Sequence, residues 1–346
     1  MKAPEFTSGQ ALNARAESTP ERRLSSSSSK SSSTFFSLQA LRAIAAWMVV
    51  MDHALLELTG NAGENWITRV AWALGSSGVS VFFVVSGFIM VHISWTNFGT
   101  SKAAASFMQR RIIRIVPLYW AATILAFAFH RVSGTHGAVD GWRELGYSLV
   151  FVPYPGGDQS WSPVLSQGWT LNFEIMFYFL FAIGLFFPRR VALAAIVGLL
   201  VAFVLFGSYI PNASLVYLAS PIVLWFALGM ALAILWHRFE LSEPNWVSRR
   251  AKLLQQFGDA SYSTYLSHGL VLTLTLWVWK MAVGKPSALL VFLSLIIATI
   301  VGRIIYGTFE KPILRVINSH VQKAIRLFTV VPKNPSEKRL SPVNRV

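Results

Sequence analysis

"LQALRAIAAWMVVMDHALLEL", residues 38–58, is the stretch on which the fold turns. It has the length and apolar content of a helix that crosses a membrane, which needs about 20 mainly apolar residues. Yet it carries Arg42, Asp52 and His53. A charged side chain in hydrocarbon costs at least ~2.5 kcal/mol, so it normally faces protein or a wet cavity. Arg42 and His53 lie eleven positions apart, which advances a helix by about three turns and about 16 Å. They therefore share one face, with Arg42 near the inner leaflet and His53 towards the outer half. The blander alternatives are an arginine that snorkels to the interface and a neutral histidine that packs. Asp52 precedes His53, but adjacent helical positions point about 100° apart, so spacing alone does not pair them.

The surrounding chain supports the membrane reading. Of 346 residues, 54% are hydrophobic and only 13% charged, and the mean hydropathy is +0.51. A soluble domain carries about 25% charged residues. Apolar segments near 38–58, 72–95, 113–130, 169–187, 191–209, 215–236, 257–281 and 287–309 predict an all-α polytopic transmembrane helical bundle of about eight spanning helices, within a range of 8–10. The stretch "ELGYSLVFVPY", residues 144–154, is too short to span and is expected to be re-entrant or interfacial. The net charge of +15 is carried between apolar runs and in the tail after Glu310, which holds eight Lys or Arg against one acid, Glu337. That distribution argues against nucleic-acid binding. With "SKAAASFMQRR", "PRR" and "HRFELSEPNWVSRRAK" it places both termini in the cytoplasm by the positive-inside bias. Residues 1–33 are polar and serine-rich and are expected to form a disordered cytoplasmic tail, while 313–346 form a basic one. No signal peptide is expected. The absence of cysteine excludes disulfides and thiolate metal sites, and no other ligand pair has a diagnostic spacing, so no metal site is expected.

Three further segments carry chemistry. "RRIIRIVPLYW", residues 110–120, sets Arg110, Arg111 and Arg114 at i,i+4 and i,i+3 spacing. Guanidinium groups converging at a helix start can hold phosphates, although a positive-inside anchor has the same charge pattern. "QGWTLNFEIMFYF", residues 167–179, puts Glu174 one to two turns into an apolar helix that enters from outside, at the depth expected of His53. A carboxylate there orients an imidazole or forms a structural ion pair. "GDASYSTYLSH", residues 258–268, places Ser261, Tyr265 and His268 at i, i+4 and i+7, a polar stripe that either lines an acceptor cavity or bonds helices together.

In these pieces the chain resembles the acyltransferase-3 family of integral membrane acyltransferases, especially members that acetylate exopolysaccharide and O-antigen. The resemblance runs from Leu38 to Pro312 and adds "GVSVFFVVSGFIM" (78–90) and "FEKP" (309–312) to the segments above. It implies an acyltransferase domain over 34–312 in the cell's inner (plasma) membrane. That domain would move an acyl group, usually acetyl from acetyl-CoA, to a hydroxyl of an exported or lipid-linked saccharide, with no tightly bound cofactor. It matches Arg42 and His53 to the family's essential first-helix pair. On this reading His53 is the general base, Glu174 orients or charge-balances it, and Arg110, Arg111 and Arg114 hold the donor's phosphates. Two departures stand out. Residues 237–256 form only a polar link where a further helix pair is common, and Ser80 stands where related sequences often carry an acid. A proton-coupled transporter using His53, Glu174 and His268 is the rival expectation.

Overall fold

The computed structural model describes residues 21–59, 63–133, 141–155, 161–241 and 254–329. It is all-α: α1 (Glu21–Thr59), α2 (Trp66–Ser94), α3 (Ser101–Ser133), α4 (Trp142–Leu149), α5 (Trp169–Gly184), α6 (Arg189–Phe206), α7 (Ala213–Leu218), α8 (Leu224–Arg238), α9 (Ser261–Ala282), α10 (Ala288–Ile305) and α11 (Lys311–Thr329). Among the described residues, five helices have the length and apolarity to cross a membrane: Trp66–Ser94, Ser101–Val132, Arg189–Tyr209, Pro221–Arg238 and Ala288–His320. The remaining three of the eight expected segments fall on α1, α5 and α9, the helices that carry His53, Glu174 and the 261–268 stripe. Of these, α5 has only 16 residues, about 24 Å of helix, which is short for a hydrocarbon core of about 30 Å.

The serine-rich stretch expected to be disordered is helical from Glu21 onward, and residues 1–20 of that expectation lie outside the described residues. Extending an existing helix adds one bond per residue fixed, with no new nucleation cost, so α1 continues backwards beyond its apolar part. The 144–154 stretch becomes α4 and a turn packed on α3. Tyr119 donates to Ser148 O at 3.1 Å, and Trp120 Nε1 donates to Leu149 O at 2.8 Å.

α2 lies between α1 and α8. A Cβ at Gly229 would lie 2.9 Å from Phe88 N, and one at Gly87 would lie 3.0 Å from the Phe226 carbonyl carbon, so hydrogen at both positions lets the α2 and α8 backbones touch. The contact brings Phe83 onto Phe226 (ring centroids 4.4 Å) and Phe226 onto Phe177 of α5 (4.3 Å), forming the aromatic centre of the bundle. Large apolar side chains such as Leu125, Phe179, Trp277 and Phe292 point outward, as expected where lipid replaces water.

Candidate active site

Two chambers open inside the bundle. The inner one is a cavity of about 70 Å³ lined by Arg42 of α1, Ser86 of α2, Arg111 and Arg114 of α3, Glu174 and Tyr178 of α5, and Tyr262 of α9. The outer one, about 890 Å³, is lined by Asp52 and His53 of α1, Ser80 of α2, His268 of α9, and Trp72, Trp169 and Trp225. Val79 and Tyr265 belong to both linings, so the chambers meet at that pair. α1 runs past both, and its eleven-residue interval sets Arg42 in one and His53 in the other, as one shared helix face requires.

The inner chamber holds three arginines against the single carboxylate Glu174, a surplus that suits an anionic ligand. Arg111 is buried, with its guanidinium carbon 5.5 Å from the Phe107 ring centre and 5.7 Å from that of Tyr178. Its Nε has no hydrogen-bond partner among the described residues. The aromatic faces hold the planar cation in place while leaving donors free. Arg110 takes no part in this chamber: it is exposed and donates to Ser106, one turn towards the start of α3. The expected cluster of three on α3 is therefore a pair, Arg111 and Arg114, completed by Arg42 from α1.

Glu174 also departs from its expected place. It lies among the arginines, accepts from Ser86 Oγ at 3.3 Å and accepts from the Tyr178 hydroxyl one turn along α5. It is absent from the outer-chamber lining that holds His53. α5 begins at Trp169, where the sequence placed its start, and carries Glu174 into the inner chamber. Glu174 thus lines one chamber, while His53 and His268 line the other.

The His53 side chain is 46% exposed, and its Nδ1 lies 3.4 Å from Asp52 Oδ2. Nδ1 also lies 3.0 Å from Val49 O. A carbonyl only accepts, so in the neutral ring this contact favours the tautomer with the proton on Nδ1 and the lone pair on Nε2. The His268 ring meets that of His53 edge-on, with centroids 5.0 Å apart. His268 is buried, with Nδ1 against Tyr265 O and Nε2 unpartnered among the described residues. Tyr265 holds Thr170 Oγ1 at 2.8 Å and donates to Gln167 O at 3.2 Å. Ser261, the third member of the expected stripe, is buried but lines neither chamber. Tyr178 and Ser86 were missed in the sequence, although the i+4 spacing of Tyr178 from Glu174 was a usable signal. Trp72, Trp169 and Trp225 gave none, since aromatic residues are common throughout such a chain.

The sequence profile of the acyltransferase-3 family, described as an acyltransferase domain, matches residues 35–247. The exopolysaccharide production protein ExoZ of Rhizobium meliloti (strain 1021) is 31% identical over 293 residues, covering 70% of this chain and 91% of ExoZ. Nodulation protein 10 of Rhizobium leguminosarum bv. viciae is 26% identical over 225 residues, 57% of this chain and 59% of that protein. No solved structure matches. The family match takes in the chamber-lining parts of α1, α2, α3, α5 and α8 and ends before α9, and the chain belongs to the acyltransferase-3 family of membrane acyltransferases.

Proposed function

We propose that the protein transfers an acyl group, acetyl in the first instance, from a coenzyme A thioester to a hydroxyl of an exported or lipid-linked saccharide. The observation that carries this reading is the pair of chambers meeting at Val79 and Tyr265, one rich in arginine and the other holding His53. Arg42, Arg111 and Arg114 bind the donor's phosphates from the cytoplasmic side. The pantetheine arm then directs its thioester past Tyr265 towards His53. His53 Nε2 takes the proton of the acceptor hydroxyl as that oxygen attacks the thioester carbonyl, and returns it to the departing thiolate. Glu174 balances charge among the arginines instead of orienting the base.

The outer chamber suits a saccharide, because Trp72, Trp169 and Trp225 offer flat apolar faces beside Ser76, Ser80 and Gln167. The printed name of ExoZ, an exopolysaccharide production protein, supports the same acceptor class. Eight spans, both termini in the cytoplasm and a place in the plasma membrane complete the reading. They are supported by the basic connections and by the three polar helices that supply site residues.

The test is release of coenzyme A from acetyl-CoA by purified protein in lipid nanodiscs, with and without an extracted surface polysaccharide. The chain has no cysteine, so a thiol reagent detects the product without protein background. Acceptor-stimulated release with an acetyl mass gain on the polysaccharide is expected. Absence of both from well-folded protein refutes the proposal.

A further inference from the structure

The transfer reading gives Asp52 no task, yet the structure keeps its carboxylate out of solvent inside a bundle that crosses a membrane. The side chain is 12% exposed, and Oδ1 has no hydrogen-bond partner among the described residues. A buried carboxylate costs several kcal/mol unless cations or hydrogen bonds offset it. Among the described residues the one ion-pair partner within reach is His53, 3.4 Å away. Neighbouring helical positions diverge by about 100°, so this contact needs the carboxylate to fold back along α1. α2 makes room for that: at Gly75 a Cβ would lie 2.6 Å from Asp52 Cγ, so any larger residue would displace the carboxylate. The carboxylate approaches the imidazole on Nδ1, the nitrogen that also faces Val49 O, and so leaves Nε2 for the chamber.

We infer that Asp52 is a positioning residue for His53. It holds the Nδ1–H tautomer from the side opposite the acceptor and balances the imidazolium that forms when Nε2 takes the hydroxyl proton. The inference rests on the transfer reading above. The proton goes from the acceptor oxygen to Nε2 and then to the departing thiolate sulfur. The new carbon–oxygen bond replaces the carbon–sulfur bond. The other titratable groups lining the chamber are His268, edge-on to His53, and Tyr265, whose hydroxyl is engaged by Thr170; no Lys, Arg or Glu lines it. Among the described residues, Asp52 is thus the only acid beside the base.

The deciding variant is Asp52→Asn, which keeps the shape and an accepting oxygen but removes the charge. Full-length protein in nanodiscs is compared with wild type in two measurements. In acetyl-CoA turnover with the extracted polysaccharide, kcat is expected to fall by about 10- to 100-fold with the donor KM within about twofold. In carbethoxylation of His53 by diethyl pyrocarbonate at mildly alkaline pH, followed by peptide mass spectrometry, the labelling rate is expected to fall several-fold. Wild-type values in both measurements overturn the inference. A lower kcat with unchanged labelling also overturns it, because packing alone would then explain the loss. If Asp52→Asn fails to accumulate, Asp52→Ser, smaller and neutral beside Gly75, goes through the same pair of measurements. Labelling does not depend on turnover, so the two readings fail separately. A wild-type protein that releases no coenzyme A, yet shows the labelling difference, refutes the transfer reading and supports the Asp52–His53 coupling.

Discussion

The sharpest consequence of the two-chamber arrangement is that neighbouring arginines on α3 should behave differently. Arg111→Gln removes a buried guanidinium whose Nε is free among the described residues, and takes the inner chamber from three arginines to two against Glu174. A hydrogen bond to a charged group is worth ~1.5–3 kcal/mol. At ~1.4 kcal/mol per factor of ten, losing one to a donor phosphate weakens binding by roughly 10- to 100-fold. The fold should survive, because Gln fills much of the space and removing a cation relieves repulsion from Arg42 and Arg114. Arg110→Gln alters an exposed side chain bonded to Ser106, and an exposed charge is worth at most ~1 kcal/mol, about fivefold in affinity and further reduced by salt. Calorimetric titration of coenzyme A into protein in nanodiscs, at low and moderate salt, measures both variants. Equal losses for the two variants, or an unchanged affinity for Arg111→Gln, would refute the assignment of the inner chamber to the donor.

Other consequences follow from the same geometry. His53→Ala should abolish acetyl transfer to polysaccharide while the protein still accumulates in membranes, and wild-type acetylation by this variant would remove His53 from the mechanism. Glu174→Gln should leave kcat within about threefold, because Glu174 lies apart from His53, but should lower the melting temperature as the arginines lose their counter-charge. A large loss of kcat at unchanged stability would instead tie Glu174 to the chemistry. Gly229→Ala should destabilise the bundle by about 1–3 kcal/mol, since its Cβ meets α2 backbone that has no flexible side chain to yield. Thermal unfolding of purified protein checks it, and an unchanged midpoint would mean that α2 and α8 are not in backbone contact.

The class of this protein was legible without coordinates. Length of apolar runs, scarcity of charge and the placement of basic connections all follow from the cost of putting charge in hydrocarbon, which acts locally on each segment. The pairing of Arg42 and His53 on one face was equally local, because helical periodicity alone sets it. α1 begins at Glu21, within the serine-rich stretch; composition records the weakness of a serine tract but not the helix already nucleated beside it. The partners of the buried groups depended on contacts between helices distant in sequence. Glu174 was matched to His53 by depth, yet the short α5 and the hydroxyls of Ser86 and Tyr178 hold it among the arginines. Arg110 was grouped with Arg111 by spacing, yet its bond to Ser106 draws it out of the chamber. Asp52 was left unpaired by helical geometry until the missing side chain of Gly75, on another helix, gave its carboxylate room to turn towards His53. Hydropathy and periodicity describe one segment at a time, whereas an ion pair or a cavity wall is a property of how several segments pack.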